Sequence, residues 1–258
     1  MKILINDGLH AAGIELLKKA GHEVFTDHIS QDNLTSQLNN YDAILVRSAT
    51  TVRRDLMDAA PNLKLIGRGG VGLDNIDLDA AKEKNIAVFN TPAASSRSVA
   101  ELAMAHLFGI VRSLPSVNKA MSKDGVSDFK ALKKASSKGI ELQGKKLGLI
   151  GFGRIGRATA SIALGCGMEI LAFDPYLDEG EVELSLHPKY SNDFKINVKT
   201  ISKDNLLAHA DFISLHIPGG QGYVLDTEDF NKMKNDVGIV NCARGGTINE
   251  AALINALE

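Results

Sequence analysis

Leu147-Gly148-Leu149-Ile150-Gly151-Phe152-Gly153-Arg154-Ile155-Gly156 sets the architecture, and its reading runs on to Asp174. Residues 147–150 form a short apolar run, as in a buried strand. Gly151, Gly153 and Gly156 then give G-x-G-x-x-G. A helical stretch over 157–164 is broken by Gly165-Cys166-Gly167, and a second apolar run, 170–173, ends on Asp174. The order is strand, glycine turn, helix, strand, acid. Such a turn brings backbone close to a pyrophosphate, and the helix start offers unpaired N–H groups and the positive end of a dipole. Asp174 follows Gly156 at close to the roughly 20-residue spacing of a carboxylate that takes ribose hydroxyls. A bare glycine motif is also compatible with a plain tight βα turn, and Asp174 with a solvated strand end. All five parts in order point instead to a dinucleotide site. A carboxylate there repels a 2′-phosphate, which favours NAD over NADP.

At 258 residues the chain is long enough for two modest domains. Lys and Arg total 29 against 31 Asp and Glu, a net charge of −2, so no basic excess invites nucleic acid. Cys166 and Cys242 lie far apart with no C-x-x-C, which reads as a reduced compartment without structural zinc; no metal site is expected. The N-terminus turns polar at Asn6-Asp7, too early for a signal peptide. The longest apolar stretch, 102–111, is too short to span a bilayer. A cytoplasmic protein without membrane partners is expected.

Working outward, residues 1–91 alternate strand and helix. Strands are expected at 3–5, 23–25, 41–46, 63–66 and 86–89, with Leu9, Ala12, Gly13, Leu16, Leu17 and Ala20 on one helical face. Alternation of this kind implies a parallel sheet, whose ligands gather beyond the carboxyl ends of the strands. Those ends and the loops after them carry Arg47, Ser48, Arg68, Gly69, Gly70, Val71, Asn90 and Ser95. A small-residue link at 91–98 precedes a long helical face from Val99, on which His106 is expected to pack in the core. The domain boundary is placed near Ser98. Residues 122–138 are expected to be loop or a short surface helix, and 178–181 a surface turn. Residues 181–198 show no pattern. Helices are expected at 201–210, 229–234 and 250–257, the last capped by Asn249, and strands at 211–218 and 238–242.

Five separated motifs carry a family resemblance: Val46-Arg47-Ser48-Ala49-Thr50, the stretch Gly67-Arg68-Gly69-Gly70-Val71-Gly72-Leu73-Asp74-Asn75-Ile76-Asp77, the glycines at 151–156, Ser214-Leu215-His216-Ile217-Pro218, and Asn241-Cys242-Ala243-Arg244-Gly245-Gly246. In this order the set resembles the D-2-hydroxyacid dehydrogenases, most closely the branch that oxidises phosphoglycerate. The resemblance implies an α/β protein of two doubly wound parallel-sheet domains. A flavodoxin-like substrate domain, 1–98, would precede a Rossmann NAD-binding domain, 99–258. It further implies interconversion of a D-2-hydroxy acid and its keto acid with NAD, here the entry step of phosphorylated serine synthesis, in a homodimer joined through the long helix from Val99.

Roles follow from the same resemblance. Arg244 matches the catalytic arginine, whose planar guanidinium can grip a carboxylate in a fork and polarise the neighbouring C2 oxygen. Gly69, Gly70 and Val71 match a loop whose amides hold the carboxylate. Arg47, with Ser48 beside it, matches the phosphate side, and Ser95 stands where several relatives carry asparagine. Gly151, Gly153, Arg154, Ile155 and Gly156 match the pyrophosphate turn, and Asp174 the ribose acid. His216, Ile217, Pro218, Cys242 and Ala243 match the walls near adenine and nicotinamide.

Hydride removal from C2 needs a base for the hydroxyl proton. In the family it is a histidine paired to a glutamate beyond the Arg-Gly-Gly segment. None of His10, His22, His28, His106, His187, His209 and His216 matches that position, so the chain is expected to be C-terminally incomplete and to turn over negligibly alone. Two other readings stay open. One is a dehydrogenase for an unphosphorylated acid such as glyoxylate, hydroxypyruvate or lactate. The other is a non-catalytic NAD-sensing binding protein. Arg47 and Arg68 at strand ends favour a small phosphorylated or carboxylated molecule.

Overall fold

The computed structural model describes residues 1–184, 189, 194–220 and 222–258. His187 lies outside them. Two compact units divide the chain, Met1–Ser95 and Ser96–Glu258.

In the first unit, β1 (Lys2–Ile5), β2 (Glu23–Phe25), β3 (Ala43–Val46), β4 (Leu65–Arg68) and β5 (Ala87–Asn90) form one sheet in the order β2-β1-β3-β4-β5. Every pairing is parallel. This is the flavodoxin-like order. Helices α1 (Ala11–Lys19), α2 (Gln31–Gln37), α3 (Arg54–Asp58) and α4 (Leu78–Glu83) make the crossovers. Core residues fill two clusters, one around Leu4, Ile44 and Ile66, the other around Ile3, Ile5 and Ala43. Successive strand residues therefore face opposite clusters, as expected for strands covered on both faces. The α1 face differs from its expected one: Ile14 and Leu17 pack on the sheet, while Leu16 stays 68% exposed.

The second unit opens with α5 (Ser96–Val111), α6 (Leu114–Asp124) and α7 (Phe129–Ala135). Then come β6 (Lys146–Ile150), α8 (Arg154–Gly165) and β7 (Glu169–Phe173), the predicted strand, helix and strand. The hairpin β8 (Glu179–Leu184) and β9 (Phe194–Lys199) follows. The chain continues through α9 (Lys203–His209), β10 (Phe212–Leu215), α10 (Thr227–Phe230), β11 (Gly238–Asn241) and α11 (Glu250–Leu257). The main sheet is parallel in the order β11-β10-β6-β7. Strand order reverses between β6 and β10, the switch point where doubly wound sheets bind ligands.

Several expectations need correction. Helix α5 begins at Ser96 rather than near Val99. Its buried face is Ala100, Ala103, Met104, Leu107 and Val111, so His106 is exposed rather than packed in the core. The apolar stripe is wider than the face it buries, which leaves Leu102 and Ile110 outside as well. Residues 122–138 agree with the short surface helix expected there: α7 buries none of its residues, and it is flanked by the end of α6 and a short 3-10 turn, Ser136–Lys138. The expected turn at 178–181 and the unpatterned stretch 181–198 hold the hairpin strands. Residues 185–188 and 190–193 of that stretch lie outside the described residues.

Candidate active site

In the first unit the strand-end residues are held by one acid. Asp7, just past β1, accepts the Arg47 N–H at 2.6 Å and the Thr50 N–H at 3.0 Å on Oδ2, and the Thr50 hydroxyl at 2.5 Å on Oδ1. Partial burial pushes its carboxyl up, but these hydrogen bonds and the nearby His28 outweigh it and hold it below the ordinary 3.8. Asn75 Nδ2 donates to the carbonyls of Arg47 and Thr50 from the far side of the loop. Arg47 and Ser48 are thus presented on a fixed backbone with their side chains exposed.

The loop after β4 is braced differently from expectation. The Gly69 N–H donates to the Val46 carbonyl at 2.8 Å, and the Gly70 N–H to Thr91 Oγ1 at 2.8 Å. Two of the three amides assigned to a carboxylate are therefore engaged inside the unit, and a carboxylate would have to displace a hydroxyl to reach Gly70. Asn90 Nδ2 donates to the Val71 carbonyl at 2.6 Å. The Arg68 guanidinium lies directly over Gly70, where a Cβ would meet Nη1 at 1.7 Å. Its Nε is buried with no hydrogen-bond partner among the described residues. Ser95, half-buried, ends the unit.

In the second unit the glycine turn sits at the switch point. The Gly151 N–H donates to the Phe173 carbonyl and the His216 N–H to the Ile150 carbonyl, both at 2.8 Å, which ties the ends of β6, β7 and β10 together. Gly151 has φ +94°, and a Cβ there would meet the His216 carbonyl oxygen at 2.5 Å. A Cβ on Gly156 would meet the Gly151 carbonyl oxygen at 2.2 Å, whereas Gly153 faces open space. Gly153 is also the N-cap of α8, with no side chain capping the first turn, at Arg154, Ile155 and Gly156. A Cβ-free approach to an uncapped twelve-residue helix is the cradle a pyrophosphate needs. Asp174, half-buried at the end of β7, accepts the Phe152 N–H at 2.9 Å and the Tyr176 N–H at 3.0 Å, one on each oxygen. A carboxylate has about four acceptor sites, so capacity remains for ribose hydroxyls. The residues present fit a dinucleotide.

Beyond β10, Ile217 and His216 are half-buried and Pro218 is exposed. Burial lowers the His216 pKa to about 4, so the ring is neutral at pH 7. Its Nε2 lies 3.0 Å from Ser214 Oγ. Beyond β11, the turn 241–247 is braced from within. Asn241 Oδ1 accepts the Ala243 N–H, and its Nδ2 donates to the Arg244 carbonyl and Thr247 Oγ1. Burial pushes the Cys242 thiol up, which keeps it un-ionised. Arg244 Nη1 donates to the Ala243 carbonyl, and its stem lies along Gly219. Asp7 and Thr91 lie outside the residues that the sequence singles out, and Asn75 enters there only as part of the motif at 67–77. The signal for Asp7 and Thr91 is position alone: polar residues just past a strand at the carboxyl end of the sheet.

Against known families, the chain matches the D-isomer specific 2-hydroxyacid dehydrogenase catalytic domain over residues 3–251. The chain belongs to this family. Its sequence is 42% identical over 255 residues to hydroxypyruvate reductase of Thermotoga maritima, covering 98% of this chain and 77% of that protein. It is 40% identical over 260 residues to D-3-phosphoglycerate dehydrogenase of Methanocaldococcus jannaschii, covering 100% of this chain and 47% of that one. The chain therefore spans about half the length of that phosphoglycerate enzyme. Among solved structures, the TT0316 protein of Thermus thermophilus superposes with TM-score 0.79 at 28% identity, covering all of this chain and 78% of the other. The NAD+-bound 3-phosphoglycerate dehydrogenase of Entamoeba histolytica gives 0.76 at 26%, covering all of this chain and 76% of the other. The family is one of oxidoreductases. Among the described residues no helix is long and apolar enough to cross a membrane.

Proposed function

We propose that this chain is the nucleotide- and substrate-binding part of an NAD-dependent dehydrogenase that oxidises D-3-phosphoglycerate to 3-phosphohydroxypyruvate, feeding serine synthesis, in a cytoplasmic homodimer. The observation that carries it is the turn at 151–156, open at Gly153 and tied through Phe152 to the carboxylate of Asp174. The N–H groups of Arg154, Ile155 and Gly156 take the pyrophosphate, and Asp174 takes the adenosine ribose. His216, Ile217, Pro218, Cys242 and Ala243 wall the rings. The chemistry a bound NAD supplies is acceptance of the C2 hydride.

The chain's own residues bind and polarise. Arg244 grips the substrate carboxylate and draws charge from the C2 oxygen, and Arg47, with Ser48, takes the phosphate. Gly69, Gly70, Val71 and Ser95 border the carboxylate. The domains proposed from sequence, 1–98 and 99–258, divide the work: Arg47, Ser48, Gly69, Gly70, Val71 and Ser95 in the first serve the substrate, while the second holds the cofactor and contributes Arg244. His216 is a poor proton acceptor: a neutral ring with a pKa of about 4 has little tendency to take an alcohol proton. The 258 residues alone are therefore proposed to bind nucleotide and turn over negligibly.

A second reading, reduction of hydroxypyruvate, is supported by the 42% identity to a hydroxypyruvate reductase. Calorimetric titration of 3-phosphoglycerate and of hydroxypyruvate into the NADH-saturated protein separates the two. The phosphoglycerate reading expects Arg47→Ala to weaken 3-phosphoglycerate by about 10- to 100-fold, the equivalent of one charge-assisted contact, and to spare hydroxypyruvate. Equal effects on both ligands favour the second reading.

A further inference from the structure

The hairpin β8–β9 stands outside the main sheet, yet it packs on the helix that follows the glycine turn. Val182 is fully buried in one cluster with Phe152, Ala160 and Ala163. Ser161 Oγ on α8 donates to the Glu183 carbonyl at 2.8 Å. The third contact bears on the turn itself. Gly180 is buried against the ring of Phe152, where a Cβ would come within 2.8 Å of Cε1 and 2.9 Å of Cδ1, and within 3.3 Å of Arg157 Cδ. Gly180 has no left-handed φ. The position therefore uses the missing Cβ rather than backbone freedom. Phe152 is itself 0% exposed, so its ring has no solvent to retreat into.

Phe152 is the first variable residue of G-x-G-x-x-G. Its side chain points into the core while its N–H holds Asp174 Oδ2 at 2.9 Å. Movement of the ring would therefore move both halves of the proposed nucleotide site: the turn at 151–153 and the carboxylate that orients on it. We infer that Gly180 is a positioning residue for dinucleotide binding, acting through Phe152. The bare hairpin backbone seats the ring, and the seated ring fixes the turn and Asp174. This inference rests on the dinucleotide reading above and adds to it a residue on an element outside the sheet–turn–helix unit.

The test uses the 258-residue chain carrying Gly180→Ala, Phe152→Leu or both. Calorimetry reads NADH and NADPH affinity, and hydrogen exchange reads the free protein. An overpacking cost of the usual size predicts that Gly180→Ala weakens NADH about ten-fold. It also narrows the preference for NADH over NADPH and speeds exchange across 151–153. A smaller side chain makes room for the new methyl, so the double variant should recover the affinity and exchange of Phe152→Leu alone. Unchanged affinity, preference and exchange in Gly180→Ala overturn the inference. So does an affinity loss that Phe152→Leu fails to relieve. If the unaltered chain binds neither nucleotide, the dinucleotide reading falls by itself. Exchange at 151–153 then still decides the seat: faster in Gly180→Ala and relieved in the double variant supports it, unchanged overturns it.

Discussion

Asp174 Oδ2 accepts the Phe152 N–H at 2.9 Å, so the acid proposed for the ribose also braces the turn proposed for the pyrophosphate. Asp174→Ala should therefore cost more than a ribose contact. Loss of a charged acceptor weakens NADH by about 10- to 100-fold, and the freed Phe152 N–H lowers stability by about 1 kcal/mol. Isothermal titration and chemical denaturation on the same preparation read both effects. Weakened binding with unaltered stability would mean that the bond to Phe152 contributes nothing.

The glycines of the motif should separate into two kinds. Gly156→Ala places a methyl 2.2 Å from the Gly151 carbonyl oxygen and should destabilise the fold by about 1–3 kcal/mol. Gly153→Ala meets no atom within 4 Å and should leave stability unchanged. Its methyl instead stands where the pyrophosphate approaches, so NADH should weaken by about ten-fold or more. Thermal melts with and without NADH distinguish the two variants. A Gly153→Ala protein that binds NADH normally would show that the open face is not the approach.

His216 should not titrate near neutrality. Burial disfavours the charged ring, so an NMR titration of its ring proton should show a midpoint near 4. The sign for stability follows. The folded pKa lies below the unfolded 6.5, so the stabilising effect of the neutral ring is full above pH 6.5 and is lost as pH falls from there toward 4. His216→Asn should flatten that part of the stability profile. A midpoint near 6.5 would refute the burial argument.

Asp7 should show itself at lower pH. Its carboxyl is held below 3.8, so its contribution is present above that value and is lost as pH falls through the folded pKa. Asp7→Asn should cost about 1 kcal/mol at pH 7, a figure kept small because the group is largely solvent-screened. The cost should fade as both proteins are acidified below pH 4. Denaturant melts from pH 7 to 3 read the difference, and a gap that widens on acidification would be the wrong sign.

The parts of the molecule readable from sequence are those whose causes are local. Strand β6, the turn, α8, β7 and Asp174 are consecutive, and each glycine's requirement is met by neighbours in that unit or just past β10. The parallel pairing of the first sheet follows from its alternating elements, whereas its flavodoxin-like order was legible only through the family resemblance. The hairpin was missed although Glu179-Gly180-Glu181-Val182-Glu183-Leu184 and Phe194-Lys195-Ile196-Asn197-Val198-Lys199 alternate polar and small or apolar residues. Glycine and glutamate both argue against a strand, and burial of Val182 on α8 overrides them. His106 lies outside the core because apolar positions on α5 cover more of the helix than α8 and β11 together bury. The engagement of the Gly69 and Gly70 amides depends on Val46 and Thr91, brought in from other strands, and periodicity carries no trace of such pairings.

Paired calorimetric titrations of NADH and NADPH into the unaltered 258-residue chain and into Asp174→Ser test the central claim most directly. The account predicts that the unaltered chain binds NADH and prefers it over NADPH by about ten-fold or more, and that Asp174→Ser loses most of that preference. No binding heat with NADH, or a preference left intact by Asp174→Ser, would contradict it.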